Sequence, residues 1–514
     1  MSIMLTRAAA RAIRCVPLSS VCAKVTHLPV VVSWSRRQSI NKLPDDVLLE
    51  VFDAYRLDLQ RQPRYEYVWN SRDGWFKLAH VCLRWRLVVL SSSSRLHLHL
   101  LFTPWRPSKV HMLRRLPQFP VIVDYTASPW TEREENLAVA AIGTGSRVHR
   151  LALRRSYANM AKLLRALDRP FPELESLEIF PIHGRNPYSL SPLQLTLPPK
   201  FISTSAPRLT RLALRDVHPE CLAPLLSSAT GLIDLNLDIW YSATPETSLL
   251  TDLKRMSCLH RLELRLTYRN RDVSLDSGPP PPVGALAGDI VSLSKLTHLI
   301  FGGHASHLEA LVAGLAAPSL QHLEAGLIGQ FSTFPIPHLC RFISEAECRF
   351  IAVRLDFSSQ ELKLSAETSS NLVRDQPFKL VIPGHSQAVS LEEMGNRLSQ
   401  PLSTVEELVV VLLVPWPTPP FSQWHRFFSH IQQVKVVRVP SFLARRIARS
   451  LQDGQVPSLD LLPALEQIEV DMVMVPSFLS NGSDDDSYAT INDAFMPFID
   501  ARRRAGRPIR LSWI

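Results

Sequence analysis

The chain has 514 residues, 46% of them hydrophobic and 20% charged, with a mass of 58.0 kDa and a mean hydropathy of +0.03. This composition predicts several folded domains or one long repeat array and excludes a disordered or fibrous class. The net charge of +10 sits at the ends: residues 1–44 hold seven Lys or Arg and no acid, residues 500–514 hold five Arg against Asp500, and 45 bases face 46 acids between them. That balance excludes a general phosphate-binding surface, so no nucleic-acid partner is expected.

Residues 1–38 form a basic leader, with Arg7, Arg11 and Arg14 among Ala and Ile and then Lys24, Arg36 and Arg37. It reads as a mitochondrial transit peptide, as a disordered segment or as the product of a misassigned start. A second region spans 39–90. Pro44, Asp45 and Asp46 mark a helix start, where proline lacks only a redundant donor and carboxylates suit the dipole. Val47, Leu48, Val51, Phe52 and Tyr55 follow as one broad apolar face. After a polar stretch, Trp75, Leu78, Cys82, Trp85 and Val89 recur at helical spacing and predict a second amphipathic helix closed by Ser91 to Ser94.

From residue 91 to 514 short strands alternate with helices. Arg95 to Leu100 alternates at period two, Val121 to Val123 is a β-branched run, and Thr131 with Glu134 forms a capping box before Leu137. An L-x-x-L-x-L rhythm recurs, and its strict form falls consecutively at Leu209, Leu232 and Leu259, at spacings of 23 and 27 residues. Those spacings suit leucine-rich repeats. Looser copies start at Leu174, Leu296, Phe350, Val405, Val434 and Leu465, with helices predicted at 221–227, 249–256, 307–315, 339–344, 424–430, 443–451 and 494–504. The repeat's usual Asn is replaced by Val217, Trp240 and Thr267. An irregular β/α solenoid is therefore expected, making the chain α/β: a small all-helical module followed by the solenoid.

Several chemistries find no support. Seven scattered cysteines without a C-x-x-C pair argue against disulfide and zinc frameworks and favour a reducing compartment, in which the Asn481 sequon means little. No apolar run reaches the length of a membrane span. Phosphate loops, zincin helices and nucleophile elbows have no motif here, and Asp484 to Asp486 lack the spacing of a calcium loop. The expectation is a non-enzyme without cofactor or metal and with no membrane partner.

Leu43 to Phe52, followed by Leu78-Ala79-His80-Val81-Cys82-Leu83-Arg84-Trp85-Arg86, resembles an F-box. It is similar in particular to the F-box-like proteins abundant in mushroom-forming fungi, in which the module precedes irregular leucine-rich repeats. The chain departs from that pattern in the long polar stretch between Phe52 and Leu78. The resemblance implies the substrate-recognition subunit of a Skp–cullin–F-box ubiquitin ligase. The F-box would dock on a Skp-type adaptor and through it on a cullin–RING ligase, and the repeats would bind a substrate protein, in the cytoplasm or nucleus. Leu43, Pro44, Val47, Leu48, Val51 and Phe52 would make the adaptor contact, completed by Cys82, Trp85 and Val88. The alternative is a repeat-based interaction scaffold without ligase association, in the mitochondrion if the leader is a transit peptide.

Period-two geometry turns Leu212 and Leu214 inward and Arg211 and Arg215 outward. Asp234 and Asp238, then Arg261, Glu263 and Arg265, continue the row on the next strands, and this face is the expected substrate surface. Loops at 278–284 and 480–487 are the other places a substrate could bind. Arg502, Arg503 and Arg504 are expected to close the last helix, where cations favour the dipole, before a capping strand at Ile509 to Leu511.

Overall fold

The structure of the protein, a computed structural model, describes residues 43–61, 75–93, 95–96, 98–103, 110–126, 131–182, 195–198, 201, 206–240, 247–267, 290–328, 336–345, 350–358, 361–367, 378–383, 391–412, 421–453, 456–457, 459–471 and 488–514. The leader, Asn481, Asp484 to Asp486 and the loops at 278–284 and 480–487 lie outside the described residues. The chain divides into two compact units, residues 1–125 with 130–149, and residues 126–129 with 150–514.

The first unit contains α1 (Asp45–Arg61), α2 (Trp75–Ala79), α3 (Leu83–Ser91), β1 (Leu100–Phe102), α4 (Val110–Arg115), β2 (Val121–Tyr125) and α5 (Glu132–Ile142). It thus runs past residue 90. Helix α1 begins where the sequence predicts, with Leu48 N–H donating to Pro44 O at 3.1 Å and both acids in the first turn. The single helix expected from Trp75 to Val89 is two, α2 and α3. Cys82 adopts φ −157° between them, and its Sγ accepts from Trp85 N–H at 3.4 Å, so the thiol caps a new helix instead of lying in the middle of one. The strand expected at Arg95 to Leu100 is likewise displaced. Leu96 and Leu98 N–H donate back to Ser92 O and Ser93 O at 3.0 and 2.9 Å, and the parallel ladder starts only at Leu100, opposite Val121. Helix α5 carries the predicted capping box, with Thr131 N–H donating to Glu134 Oε2 at 2.6 Å and Glu134 N–H to Thr131 Oγ1 at 3.4 Å. Arg147 gathers the loose carbonyls of Leu113, Leu116 and Phe119 at 2.6–3.0 Å.

Strand β3 (Val148–Ser156) belongs to the second unit from Arg150 onward, and that unit continues with α6 (Tyr157–Ala166), β4 (Ser176–Ile182), β5 (Arg211–Arg215), α7 (Pro219–Ser228), β6 (Asp234–Trp240), α8 (Thr247–Leu253), β7 (Arg261–Thr267), β8 (His298–His304), α9 (Ala305–Ala313), β9 (His322–Ile328) and α10 (Pro337–Glu345). The second half holds β10 (Ala352–Phe357), β11 (Glu361–Glu367), β12 (Phe378–Pro383), α11 (Leu391–Arg397), α12 (Ser399–Leu402), β13 (Glu407–Leu412), α13 (Phe421–Phe428), β14 (Val436–Pro440), α14 (Ser441–Ser450), β15 (Gln467–Asp471), α15 (Tyr488–Arg504) and β16 (Arg510–Trp513). Two-residue strands at 291–292 with 315–316 and at 452–453 with 456–457 make separate small ladders.

These long strands share one sheet in the order β3-β4-β5-β6-β7-β8-β9-β12-β11-β10-β13-β14-β15-β16, parallel except around β11. The fold is thus mixed α/β with a large, mostly parallel sheet. The triplet rhythm explains it. The last two positions of each triplet point inward, and one ladder runs Leu151, Leu177, Leu212, Leu235, Leu262, Leu299, Leu323, all buried and in register. The first position, such as Leu209, Leu232 or Leu259, is buried in the turn before the strand. Neither Glu361–Glu367 nor Phe378–Pro383 belongs to a triplet. They form an antiparallel excursion, β10-β11-β12, which leaves β12 beside β9 and β10 beside β13.

Candidate interaction surfaces

In the first unit Arg84 ties α3 to the start of α1, donating to Leu43 O and to Asp45 Oδ1, the latter from Nε at 3.1 Å. The interior between the helices is filled by Leu48, Leu49, Phe52, Trp75, Trp85, Val88 and Val89, with the Phe52 and Trp85 rings edge-on at 4.9 Å. Four residues that the sequence reading assigns to an adaptor contact, Leu48, Phe52, Trp85 and Val88, are therefore buried inside the protein's own unit. Pairing an exposed with a buried set at i and i+1 requires only that helix α1 turn 100° per residue. Pro44, Val47 and Val51 are exposed, and Leu43 and Cys82 are half-buried. Val81 and Leu83, which lie in the F-box-like segment, and Leu87 join the exposed set, although the sequence assigns none of the three to the adaptor contact. Together with Val47 and Val51 they are between 39% and 66% exposed. Their signal was present in the sequence, since Leu83 and Leu87 stand four apart on the side of α3 away from Trp85 and Val88.

In the second unit the predicted surface residues come together on one face. Arg211 stands in register with Asp234, which stands opposite Arg261; Arg215, Asp238 and Arg265 form a parallel row, with Glu263 between them on β7. They pair mainly with one another. Arg215 meets Asp238 at 2.7 Å, Arg265 meets Glu263 at 2.8 Å, and Arg261 lies 3.4 Å from Glu263 and 4.0 Å from Asp234. Burial lifts the Asp234 carboxyl above its ordinary range, against the pull of Arg261 and Arg211.

The same outward positions on other strands carry residues the sequence reading left out. Arg150 pairs with Glu178 at 2.6 Å, Lys379 with Glu324 at 2.5 Å and Arg354 with Asp356 at 2.6 Å, while Arg438 bonds Glu469 and lies 3.0 Å from Glu407. The period-two rule that gave Arg211 would have found them once the neighbouring strands were assigned. His298 and His322 sit side by side on β8 and β9 with ring centroids 5.6 Å apart. Among the described residues no group of three or more His, Cys, Asp or Glu could hold a metal ion, and no described helix is long and apolar enough to cross a membrane.

The expectation for the C-terminal arginines needs correction at one residue. Arg502 is fully buried and donates to the carbonyls of Leu459, Leu462, Pro463 and Leu465 at 3.1–3.3 Å. It is a latch between α15 and the turns before β15, not a surface cation at a helix end. Arg503 and Arg504 are exposed, and β16 adds a parallel strand to β15.

No family model matches the chain, and no curated protein does. The F-box resemblance thus rests on the quoted residues alone. Among solved structures, the leucine-rich repeat-containing protein LegL7 from Legionella pneumophila is similar over 65% of this chain and 93% of its own, at 12% identity and a TM-score of 0.24. A likeness that distant carries no argument about this chain.

Proposed function

We propose that the protein is a non-catalytic substrate receptor of a Skp–cullin–F-box ubiquitin ligase. The observation that carries this reading is the apolar set left uncovered on the first unit, Val47 and Val51 on α1 with Val81, Leu83 and Leu87 at and along α3. Aliphatic side chains at i and i+4 on two packed helices are what an adaptor's apolar surface would cover. Their position within the F-box-like segment supports that choice of partner. The charged sheet face of the second unit would hold the substrate protein, and the receptor's contribution to ubiquitin transfer would be proximity, with the bond chemistry left to the partners. No cofactor or metal takes part, and the complex would work in the cytoplasm or nucleus.

One observation favours the alternative, a repeat-based interaction scaffold without ligase association: Leu48, Phe52, Trp85 and Val88 are consumed by the protein's own interior. Co-purification with a Skp-type adaptor separates the two. Truncating one buried apolar anchor costs about 2 kcal/mol, or roughly thirtyfold in affinity. A Val51→Glu, Leu87→Glu protein should lose adaptor recovery while keeping its thermal unfolding profile. Undiminished recovery, or no recovery with the unaltered protein, removes the ligase reading and leaves the scaffold.

A further inference from the structure

We propose that the outward face of β3 to β7 binds an extended acidic segment of a partner protein, laid across the strands between two rows of arginines. This rests on the reading that the sheet face captures the substrate, and it names that substrate's chemistry.

The rows follow from the register. Arg150, Ser176, Arg211, Asp234 and Arg261 stand opposite one another from β3 to β7. Four residues further along the same strands lies the second row. Arg154 is paired with Phe180, the Arg215 guanidinium lies 5.8 Å from the centroid of the Phe180 ring, and Arg215, Asp238 and Arg265 are in register. Arginine therefore occupies both positions on every second strand. Strand geometry sets the rows about 13 Å apart and successive arginines within a row about 10 Å apart. The line between the rows is Ala152, Glu178, Ala213, Asn236 and Glu263, of which Ala152 and Glu263 are buried and Glu178, Ala213 and Asn236 are partly exposed.

Mutual neutralisation does not erase the positive character of the second row, because there the two partners sit at different depths. In the pairs Arg215 with Asp238 and Arg265 with Glu263 the arginine side chains are 38% and 54% exposed and the carboxylates 12% and 8%. Arg354 with Asp356 and Arg438 with Glu469, on strands outside this face, repeat the difference, whereas Arg150 with Glu178 and Arg261 with Asp234 lie at similar depths. In the second row guanidinium is outermost and carboxylate is the floor. A guanidinium has five N–H donors, so those that its carboxylate does not use remain for an incoming acceptor. The recessed acids also hold the arginines in place, which lowers the ordering cost of binding. Arg154 on β3 and Arg211 on β5 are exposed.

An acidic peptide suits the pattern better than a polyphosphate chain. At about 3.3 Å per residue, an extended peptide with acids three apart brings one to each successive arginine from alternating sides. Neutral residues then pass over β4 and β6, the strands that carry Glu178, Asp234 and Asp238. A nucleic acid would carry charge over those carboxylates without interruption.

The test uses the full chain and fluorescence anisotropy, with a labelled peptide of repeated Glu-Ser-Gly, its Gln-Ser-Gly counterpart and a thymidine 12-mer. The Glu peptide should bind, weaken with added salt, and outcompete both of the others. Arg154→Gln with Arg211→Gln should reduce its affinity about fivefold without changing thermal unfolding, since neither belongs to the recessed pairs. Adding Arg215→Gln and Arg265→Gln should reduce it further. Arg446→Gln with Arg449→Gln on α14, a charge-matched change outside the sheet, should leave it intact. Equal binding of the Gln peptide, unchanged affinity in the Arg154, Arg211 variant, or preference for the oligonucleotide overturns the proposal. Adaptor recovery reads the first unit separately. Lost peptide binding with normal adaptor recovery sinks this inference alone, and the reverse result sinks the ligase reading alone.

Discussion

Replacing Arg502 by Met keeps the aliphatic stem but removes every donor, leaving the carbonyls of Leu459, Leu462, Pro463 and Leu465 without their guanidinium, those of Leu462 and Leu465 in buried positions. Hydrogen bonds to a charged group contribute about 1.5–3 kcal/mol each, and the cost of burying the guanidinium offsets much of their sum. Burial also pulls the guanidinium pKa down, with Arg507 adding to that effect. A buried carbonyl left without its donor costs about 1–3 kcal/mol, and with two such carbonyls about 3 kcal/mol is expected here. Repeat arrays open locally, so the loss should appear at this end of the sheet and not as a shift of one global transition. Amide hydrogen exchange is the assay. Protection across 459–471 and 488–514 should fall about a hundredfold, while residues 206–240 keep theirs. Arg502→Lys should recover little, because one ammonium cannot span four acceptors. Unchanged protection in Arg502→Met would show that the carbonyls are satisfied otherwise and that the latch is not what holds α15 down.

Burial holds the imidazole of His307 on α9 down at about 4 against an ordinary 6.5. The unfolded chain therefore takes up the proton first, and stability present above the ordinary value is lost as the pH falls from there toward 4, by up to about 3 kcal/mol. Thermal unfolding between pH 7 and pH 4.5 should show His307→Phe losing less stability than the unaltered protein; parallel curves would contradict this. A Cβ at Gly395 would come within 2.8 Å of His430 Cδ2 and 3.2 Å of Phe427 Cδ2, so Gly395→Ala should cost about 1–3 kcal/mol by urea unfolding as α11 is pushed off α13. Deleting residues 492–514 removes β16 and most of α15, uncovers Ile468 and Val470 on β15, and should lower the soluble fraction on expression. A truncation as soluble and stable as the full chain would refute the capping role of that segment.

What the sequence determined by itself was the inward half of the sheet. A triplet such as Leu209, Leu212 and Leu214 fixes a turn and a strand together, because period-two geometry and burial of leucine allow only one face to point inward. The outward row from Arg211 to Arg265 followed from the same rule, and so did the start of α1 at Pro44 and the cap at Thr131. Helices α10, α13 and α14 were legible from their apolar periodicity to within a few residues, whereas α15 begins six residues before the predicted 494. Strands β11 and β12 were equally periodic, as Leu362, Leu364 and Ala366 show, but their alternation carries no direction. Only pairing in space decides that β11 runs antiparallel and that β12, not β10, lies against β9. Depth was the other quantity hidden from sequence. An apolar helix face does not say which of its residues a neighbouring helix will take, so packing alone put Leu48 and Phe52 inside and left Val47 and Val51 out. A run of arginines near a helix end likewise does not say which one turns toward free carbonyls. Hydrophobic periodicity is a property of one segment and is written locally, whereas burial of a particular side chain, or of the Arg502 guanidinium, depends on which other segments arrive beside it.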